Sequence, residues 1–338
     1  MTRRLIVLLI ALNLLVAPLA ADAPPARKIF RIGWLSPTSP LPRPPVFDAF
    51  QQRLHELGWI EGQTLAMEYR WAEEQLERLP ELAAGLVRLP VDVIVPTTGT
   101  AARAAKLATR TIPIVFAGAG DAMAQGLVVS LARPGGNVTG VTYMSTELTR
   151  KRLELLQEVV PGLSRVAVLC GPAVSWPSDP LQDVAHDVQR GEMVSAAHAL
   201  GVHLHSLEVR GPEDLEGAFA AATRDRAEAL VVLDCAPLNV RRLFQRIIEL
   251  AALHRVPAMY HLRNRVEAGG LMAYGPNSRE QYLRAAALVD KILRGAQPAD
   301  LPVEQPMTFD LVINLKTAQA LGLTIPPSVL FQADEVIR

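Results

Sequence analysis

The chain alternates short apolar runs with longer helical patterns, and the whole series occurs twice. The short runs, rich in β-branched residues, predict strands, and the segments between them repeat apolar residues every three or four positions, as helices do. Two successive series of this kind predict two doubly wound parallel sheets in an α/β protein. In the first series we predict strands at 29–35, 65–71, 91–96, 112–117 and 138–144, and helices at 46–57, 76–88 and 100–109. In the second we predict strands at 165–170, 202–209, 229–233, 257–260 and 270–274, and helices at 148–159, 191–200, 212–224 and 240–254.

The length of the chain indicates two lobes, because 338 residues are more than one hydrophobic core usually serves. A helix at 279–294, a strand at 301–309 and a helix at 311–321 follow the second series, so we expect the chain to pass between the lobes more than once. The predicted lobes are 28–144 plus 277–300 and 145–276 plus 301–338. The predicted hinge strands are 144–146, 274–277 and 299–303.

Residues 1–23 have the order of a secretory signal peptide. Arg3 and Arg4 precede an apolar stretch at residues 5–17, and a sequence of small residues suited to cleavage ends at Ala23. A membrane anchor is the alternative, but spanning takes about 20 apolar residues and this stretch is shorter. Neither cysteine lies just after the apolar stretch, so we expect a periplasmic protein that is not lipid-anchored.

Charge and motifs argue against several classes of function. Lys and Arg number 34, as do Asp and Glu, so the chain lacks the net positive charge of most nucleic-acid-binding proteins. It has no G-x-S-x-G, G-x-x-x-x-G-K-[ST] or H-E-x-x-H motif. His203 and His205 share one face of a predicted strand, but two ligands hold zinc poorly. We therefore expect a binding protein and not an enzyme, with no cofactor, no metal and no nucleic-acid partner.

The candidate ligand-binding residues follow the predicted strands, since parallel α/β sheets bind ligands where their strands end. Thr97 and Thr98 open a helix whose first N–H groups suit a carboxylate, although Thr98 also fits an ordinary N-cap. Asp121 offers a carboxylate to an ammonium group, or else caps a turn. Gly118 permits close approach of the backbone to a ligand. The full candidate set is Ser36, Thr97, Thr98, Gly118, Asp121, Tyr143, Ser175, Asp234, Asn239, Tyr260 and Tyr274.

The two cysteines raise the question of a disulfide. If the strands of the second sheet have the order 2-1-3, Cys170 and Cys235 end on neighbouring strands. A disulfide across adjacent parallel strands is geometrically uncommon, so we expect two free, partly buried thiols.

Four segments closely resemble a known family. They are A-F-Q-Q-R-L-H-E-L-G-W-I-E-G-Q-T-L-A-M-E-Y-R-W-A-E at 49–73, R-P-G-G-N-V-T-G at 133–140, L-P-V-E-Q-P at 301–306 and L-V-I-N-L-K-T-A-Q-A-L-G-L-T-I-P-P at 311–327. These resemble the bacterial ABC-transporter substrate-binding proteins whose characterised members bind aromatic amino acids. The resemblance runs from about residue 29 to residue 338. It implies the type I periplasmic-binding fold, in which two Rossmann-like lobes are joined by a hinge of three strands and the ligand lies in the cleft between them.

The resemblance also implies which loops contact the ligand. By this criterion the cleft residues are Ser36, Thr98, Asp121, Ser175, Asp234 and Tyr260. The chain departs from the family at 120–122, where G-D-A replaces the frequent G-D-P, and at 171–174, where G-P-A-V replaces N-P-A-N. The loop at 36–45 is also unusually rich in proline. These departures lie where a ligand is expected, so an aromatic amino acid does not follow from the resemblance.

We therefore expect the periplasmic solute-binding protein of an ABC importer, a monomer that closes its hinge over an amino acid or related zwitterion and delivers it to an inner-membrane ABC permease. The carboxylate would lie at the helix start at 97–100 and the ammonium near Asp121 or Asp234. Removing Asp234 should then weaken binding without unfolding the protein. A ligand-sensing module for a membrane receptor is an alternative, and a secreted α/β enzyme is another.

Overall fold

The computed structural model describes residues 28–41, 44–143, 148–172 and 185–338. The predicted signal peptide at 1–23 lies outside these residues. Within the described part of the chain, no helix is both long and apolar enough to cross a bilayer.

The first sheet has five parallel strands in the order β2-β1-β3-β4-β5. They are β1 (Phe30–Ser36), β2 (Leu65–Trp71), β3 (Val93–Pro96), β4 (Ile114–Ala119) and β5 (Val138–Thr142). The helices that follow the first three strands are α1 (Pro45–Glu56), α2 (Leu79–Val87) and α3 (Gly99–Ala108). Strands β3, β4 and β5 are buried along their whole length, and the sequences of β3 and β4 are nearly continuous apolar runs.

Two different cores cover the faces of this sheet. One is aromatic: Trp34 of β1 contacts Phe47 and Phe50 of α1, with ring centroids 4.8 and 5.2 Å apart. The other is mainly aliphatic and includes Leu86 of α2 and Phe116 of β4. Because both faces are covered by apolar side chains, the open positions for a ligand lie at the ends of the strands.

The second sheet has seven strands in the order β12-β11-β10-β9-β8-β6-β7, all parallel to their neighbours except the antiparallel pair β10–β11. Its strands are β6 (Arg165–Cys170), β7 (His203–Glu208), β8 (Ala229–Val232), β9 (Ala258–Tyr260), β10 (Met272–Pro276), β11 (Phe309–Asn314) and β12 (Glu335–Ile337). The order β8-β6-β7 confirms the 2-1-3 arrangement considered from the sequence. The remaining helices are α4 (Leu148–Val159), α5 (Ala185–Leu200), α6 (Pro212–Arg224), α7 (Arg241–Leu253), α8 (Arg263–Glu267), α9 (Ser278–Leu293), α10 (Leu315–Leu321) and α11 (Pro327–Gln332).

The described elements require three crossings between the two sheets. The first follows β5, and the hinge strand predicted at 144–146 lies outside the described residues. The second is at Asn277, within the predicted segment 274–277, because β10 belongs to the second sheet whereas α9 packs on the first. The third lies beyond the predicted segment 299–303. Glu304 still bonds to the first sheet, through its N–H and the carbonyl of Gly140 at 2.9 Å.

The C-terminal segment corrects two predictions. The helix predicted over 311–321 is wrong in its first part, because Phe309–Asn314 forms strand β11 and α10 begins only at Leu315. The strand predicted over 301–309 is likewise displaced. Leu311, Val312 and Ile313 are consecutive and fully buried, and a strand between two other strands buries such a run on both faces.

Candidate ligand-binding site

The ends of β1 and β3 bring hydroxyl groups of the first lobe together. The hydroxyl of Thr97 donates to Ser36 Oγ over 3.1 Å, and Ser36 Oγ lies 3.0 Å from Thr38 Oγ1. Ser36 and Thr97 are buried, and the Tyr282 hydroxyl donates to the carbonyl of Thr97 at 3.4 Å. The predicted pair Ser36 and Thr97 therefore meets, because β1 and β3 are neighbours in the sheet.

An N-cap residue and a buried side-chain amide lie next to each other at the start of helix α3. Thr98 is the N-cap residue, and its Oγ1 accepts from the N–H of Ala101 at 3.2 Å. The side chain of Gln125 lies so close to Gly99 that a Cβ there would be 1.9 Å from its Oε1. This oxygen is buried and accepts no hydrogen bond from the described residues. Gly99 thus leaves room for an amide beside the N-terminus of the helix.

Asp121 caps its own turn. Its Oδ1 accepts hydrogen bonds from the N–H groups of Met123 and Ala124, both at 3.0 Å. The turn-cap alternative is therefore the arrangement that the structure has. An ammonium group at this carboxylate would have to share Oδ1 with two backbone donors or use Oδ2.

Tyr143 lies between the two lobes. Its ring packs against Gly118 at the end of β4, where a Cβ would be 2.3 Å from Tyr143 Oη. The glycine therefore makes room for a side chain and not for a ligand. Burial raises the pKa of the Tyr143 hydroxyl well above its usual range, and Tyr282 of the first lobe and Asp234 of the second raise it further. The phenol is thus close to polar groups of both lobes.

The second lobe places a buried polar cluster at the ends of β8 and β9. Asn239 Nδ2 donates to Asp234 Oδ1 at 2.9 Å, and His261 Nε2 lies 3.3 Å from the same oxygen. Asn239 Oδ1 accepts from Arg265 Nη2 at 2.8 Å. The predicted residues Asp234 and Asn239 therefore meet, together with two residues, His261 and Arg265, that the sequence analysis did not select.

Positive charge dominates the described part of this cluster. Arg265 and Arg152 are buried, and desolvation lowers the pKa of each to about 10 while Asp234 opposes that shift, so both remain cationic at neutral pH. Burial also lowers the pKa of His261, despite the adjacent Asp234, so its imidazole is neutral at pH 7. Asp234 thus interacts electrostatically with two buried guanidinium groups.

The remaining candidates lie elsewhere. Tyr260 is 1% exposed and its ring packs against Gly270 within the apolar core of the second lobe. Tyr274 stacks on Phe309 with ring centroids 6.1 Å apart, at the pairing of β10 with β11. Ser175 lies outside the described residues. Tyr260 is thus a core residue, and Tyr274 packs beside the hinge.

Among the described residues, the environments of the two cysteines and of the histidine pair do not indicate a disulfide or a metal site. Cys170 and Cys235 are buried thiols that form no disulfide, and burial raises the pKa of Cys170. His203 is exposed, whereas His205 Nδ1 lies 2.7 Å from a carboxylate oxygen of Asp225. No group of three or more metal-ligating side chains occurs among the described residues.

Three residues of the second-lobe cluster were not predicted from the sequence. His261 directly follows the last residue of β9, so the rule that selects residues after strands applies to it as well. Arg152 and Arg265 lie on helices α4 and α8, where arginine is usually solvated, and no sequence pattern distinguishes them from their exposed neighbours. Only the tertiary contacts identify them.

Comparisons with known proteins agree with this architecture. Residues 44–337 match the family model described as ABC transporter substrate binding protein. A tyrosine-binding protein of Clostridioides difficile is 24% identical over 275 residues, which are 81% of this chain and 75% of that protein. The ABC domain of Streptococcus pneumoniae solved in complex with L-Trp is 25% identical, with a TM-score of 0.79 over 92% of this chain and 100% of that one. A leucine-binding protein of Thermotoga maritima, 12% identical with a TM-score of 0.59 over 87% of each chain, shares the fold. The predicted fold, two Rossmann-like α/β lobes of the type I periplasmic-binding kind, is confirmed.

Proposed function

Because the chain belongs to the family of ABC transporter substrate-binding proteins, we propose that it is the solute receptor of an ABC importer. It binds a small molecule in the cleft between its lobes and delivers it to a permease in the inner membrane. The observation that carries this proposal is the position of Tyr143. Its phenol lies against Gly118 of the first lobe and within the electrostatic reach of Asp234 of the second, so the polar strand ends of both lobes converge on one cleft.

The ligand is an amino acid or a related zwitterion. This assignment is supported by the two relatives described above, one named for tyrosine binding and one solved with L-Trp. The hydroxyl groups of Ser36 and Thr97 and the start of α3 suit the carboxylate. The ammonium falls to Asp234 or to Asp121, and the Oδ1 atom of each carboxylate already accepts a hydrogen bond within the protein.

Binding proceeds by closure of a hinge. The second and third crossings are tied to each other, since Asn277 Nδ2 donates to Asp310 Oδ2 at 3.0 Å and the N–H of Asn277 donates to the carbonyl of Thr308 at 3.1 Å. Rotation about these crossings opens and shuts the cleft. A ligand that contacts both lobes binds the closed state more tightly than the open one. The difference between these two affinities sets how far the ligand shifts the equilibrium toward the closed state.

The N-terminal sequence predicts the subcellular location of the protein. Arg3, Arg4 and the apolar stretch at 5–17 form a cleavable export signal, and no cysteine follows that stretch to carry a lipid. The mature protein is therefore periplasmic, acts as a monomer and requires no cofactor. Binding and release, with no chemical change in the ligand, constitute its activity.

A thermal-shift screen of the ligand-stripped protein tests the function. A ligand that binds only the folded state raises the melting temperature, by RT ln(1 + [L]/Kd) in free energy. We expect one or more amino acids to raise it, and the matched hydroxy acid and amine, which lack the ammonium and the carboxylate respectively, to do so much less. The recovered compound should be chemically unchanged. A screen in which no small molecule raises the melting temperature, or in which the bound compound is converted, would contradict the proposal.

A further inference from the structure

Arg265 is a buried cation held in place by neutral groups. It is 4% exposed and lies on the short helix α8. Its Nη2 donates to Asn239 Oδ1 at 2.8 Å, and its guanidinium stacks over the ring of Phe244, 3.6 Å from the centroid. An amide and an aromatic ring fix the plane of the guanidinium without neutralising its charge.

The charge of Arg265 is not matched by an ion pair. No carboxylate of the described residues lies within salt-bridge distance of it, in contrast to the neighbouring Arg263, whose guanidinium pairs with Glu267 and Glu335. Among the described residues, the acid that influences Arg265 is Asp234, whose Oδ1 already accepts from Asn239. A buried cation without a direct counter-ion is costly, and an anion that binds beside it removes that cost.

The surroundings of Arg265 place it at the cleft. Tyr143, which packs against the first lobe at Gly118, contributes to the electrostatic field at the guanidinium, as does Arg241 at the start of α7. Asn239 follows β8 at the carboxyl end of the second sheet, the edge where α/β proteins bind their ligands. Arg265 therefore lies on the side of the second lobe that faces Tyr143.

We propose that Arg265 binds a carboxylate of the ligand, so that the preferred ligand carries a net negative charge, as acidic amino acids and other dicarboxylates do. This inference rests on the proposed function and narrows its ligand class. A neutral zwitterion whose carboxylate lies at the start of α3 leaves the charge of Arg265 without a direct counter-ion among the described residues. A second carboxylate forms charge-assisted hydrogen bonds with the fixed guanidinium and balances that charge.

The test uses pairs of ligands that differ only in one carboxylate. The ligand-stripped protein is titrated calorimetrically with glutamate and glutamine, aspartate and asparagine, succinate and succinamate, and terephthalate and its monoamide, with tryptophan and tyrosine as neutral amino acids. We expect an acidic member to bind at least tenfold more tightly than its amide. Arg265→Gln should weaken that binding by at least tenfold, because a hydrogen bond to a charged group is lost. Arg263→Gln, two residues away on the surface, should bind as the unmodified protein does.

The stability of the ligand-free variants separates a binding role from a structural one. If Arg265 serves the ligand, Arg265→Gln keeps the bond to Asn239 and leaves the melting temperature of the ligand-free protein unchanged or higher. A lower melting temperature in both Arg265→Gln and Arg265→Lys, with unchanged affinity, would overturn the inference. Equal binding of a neutral amino acid to the unmodified protein and to both variants would also overturn the inference. That result would leave the proposed function intact. Failure of every compound in this panel and in the wider screen would overturn the proposed function as well.

Discussion

Glu74 of the first lobe bonds directly to Arg241 of the second. Its Oε1 accepts from the backbone N–H of Arg241 at 3.0 Å, at the first residue of helix α7. Glu74 has a left-handed backbone, with φ of 68°, and its neighbour Glu73 has φ of 53°. The loop after β2 thus directs a carboxylate at the positive end of a helix in the opposite lobe.

This contact predicts a role for Glu74 in closing the cleft. Glu74→Gln removes the charge but keeps the shape of the side chain, and a carboxylate at a helix N-terminus stabilises by roughly 0.3–1 kcal/mol. We expect the affinity for a verified ligand to fall by about two- to fivefold, as measured by calorimetry. Glu73→Gln is the matched control, because Glu73 pairs with Arg78 within the first lobe. Equal effects of the two substitutions would rule out a specific contact between the lobes.

The electrostatic surroundings of Asp234 predict that its carboxylate stabilises the folded protein as well as contributing to ligand binding. The sequence alone suggests that Asp234 can be removed without unfolding the protein. In the structure its carboxylate is the described counter-charge near Arg152 and Arg265, and removing one partner from buried charges costs on the order of 3 kcal/mol. We expect Asp234→Asn to lower the free energy of unfolding in urea by about that amount.

A double-mutant cycle tests this explanation of Asp234. Adding Arg265→Gln to Asp234→Asn removes one of the two buried cations that interact with Asp234, so the double variant should be more stable than Asp234→Asn alone. Strictly additive free energies of unfolding would show that the two charges do not interact, and would contradict this explanation.

Glu228 predicts a pH-dependent contribution to stability at the start of the second sheet. Its Oε2 accepts from the N–H groups of Ser164 and Arg165 at 2.6 and 3.0 Å, and its Oε1 accepts from the Arg165 guanidinium at 2.6 Å. These bonds, the Ser164 N–H foremost, lower the pKa of Glu228 below its usual value of 4.5. Because the pKa is lower in the folded state, the stabilisation is complete above the unfolded pKa and is lost as the pH falls through the folded one.

Glu228→Gln should therefore destabilise the protein by about 1–2 kcal/mol at pH 7. The difference from the unmodified protein should shrink as the pH falls below about 4.5, the usual pKa of the group. Urea unfolding at a series of pH values measures it. Glu216→Gln, which removes an exposed ion pair with Arg246, should cost at most about 1 kcal/mol at pH 7. A difference for Glu228→Gln that does not change with pH would exclude the carboxylate as its source.

The sequence predicts the regular part of the fold well because local pattern and burial agree there. The strands Leu65–Trp71 and Arg165–Cys170 and the helix Leu148–Val159 have the predicted bounds. The apolar run at 311–313 is ambiguous, since three buried residues in succession fit a covered strand as well as a helix. Its strand character depends on β10 and β12, which lie on either side of it only in the folded chain.

The candidate site is predicted less completely, for a different reason. Strand ends are visible in the sequence, so Ser36, Thr97, Asp234 and Asn239 can be selected before their contacts are known. Whether a charged side chain is solvated or buried depends on its tertiary contacts. Arg265 differs from the exposed Arg263 because it is buried against Phe244. Tyr260 lies at the end of a strand, which suggests a cleft residue, and in the structure its ring packs within the apolar core.

The close contact between Gly118 and Tyr143 predicts that a methyl group at residue 118 will destabilise the protein. A methyl group at residue 118 would lie 2.3 Å from Tyr143 Oη and 2.5 Å from ring carbons of the same side chain, so the ring must move. Overpacking of this kind costs roughly 1–3 kcal/mol. Because Tyr143 lies between the lobes, Gly118→Ala should also weaken ligand binding by about tenfold or more, a loss that a rearranged cleft can produce.

Two further variants separate this clash from a general effect of replacing glycine. Gly217→Ala is the control, since Gly217 lies in helix α6 with no atom within 4 Å of the added Cβ, and it should stabilise by about 0.5–1 kcal/mol. Adding Tyr143→Ala to Gly118→Ala removes the clashing ring, so the double variant should lose less stability than the sum of the two single ones. Urea unfolding and calorimetric titration provide both readouts. If Gly118→Ala matched the unmodified protein in both, the ring of Tyr143 would not occupy this position in solution, and the two lobes would not converge on it.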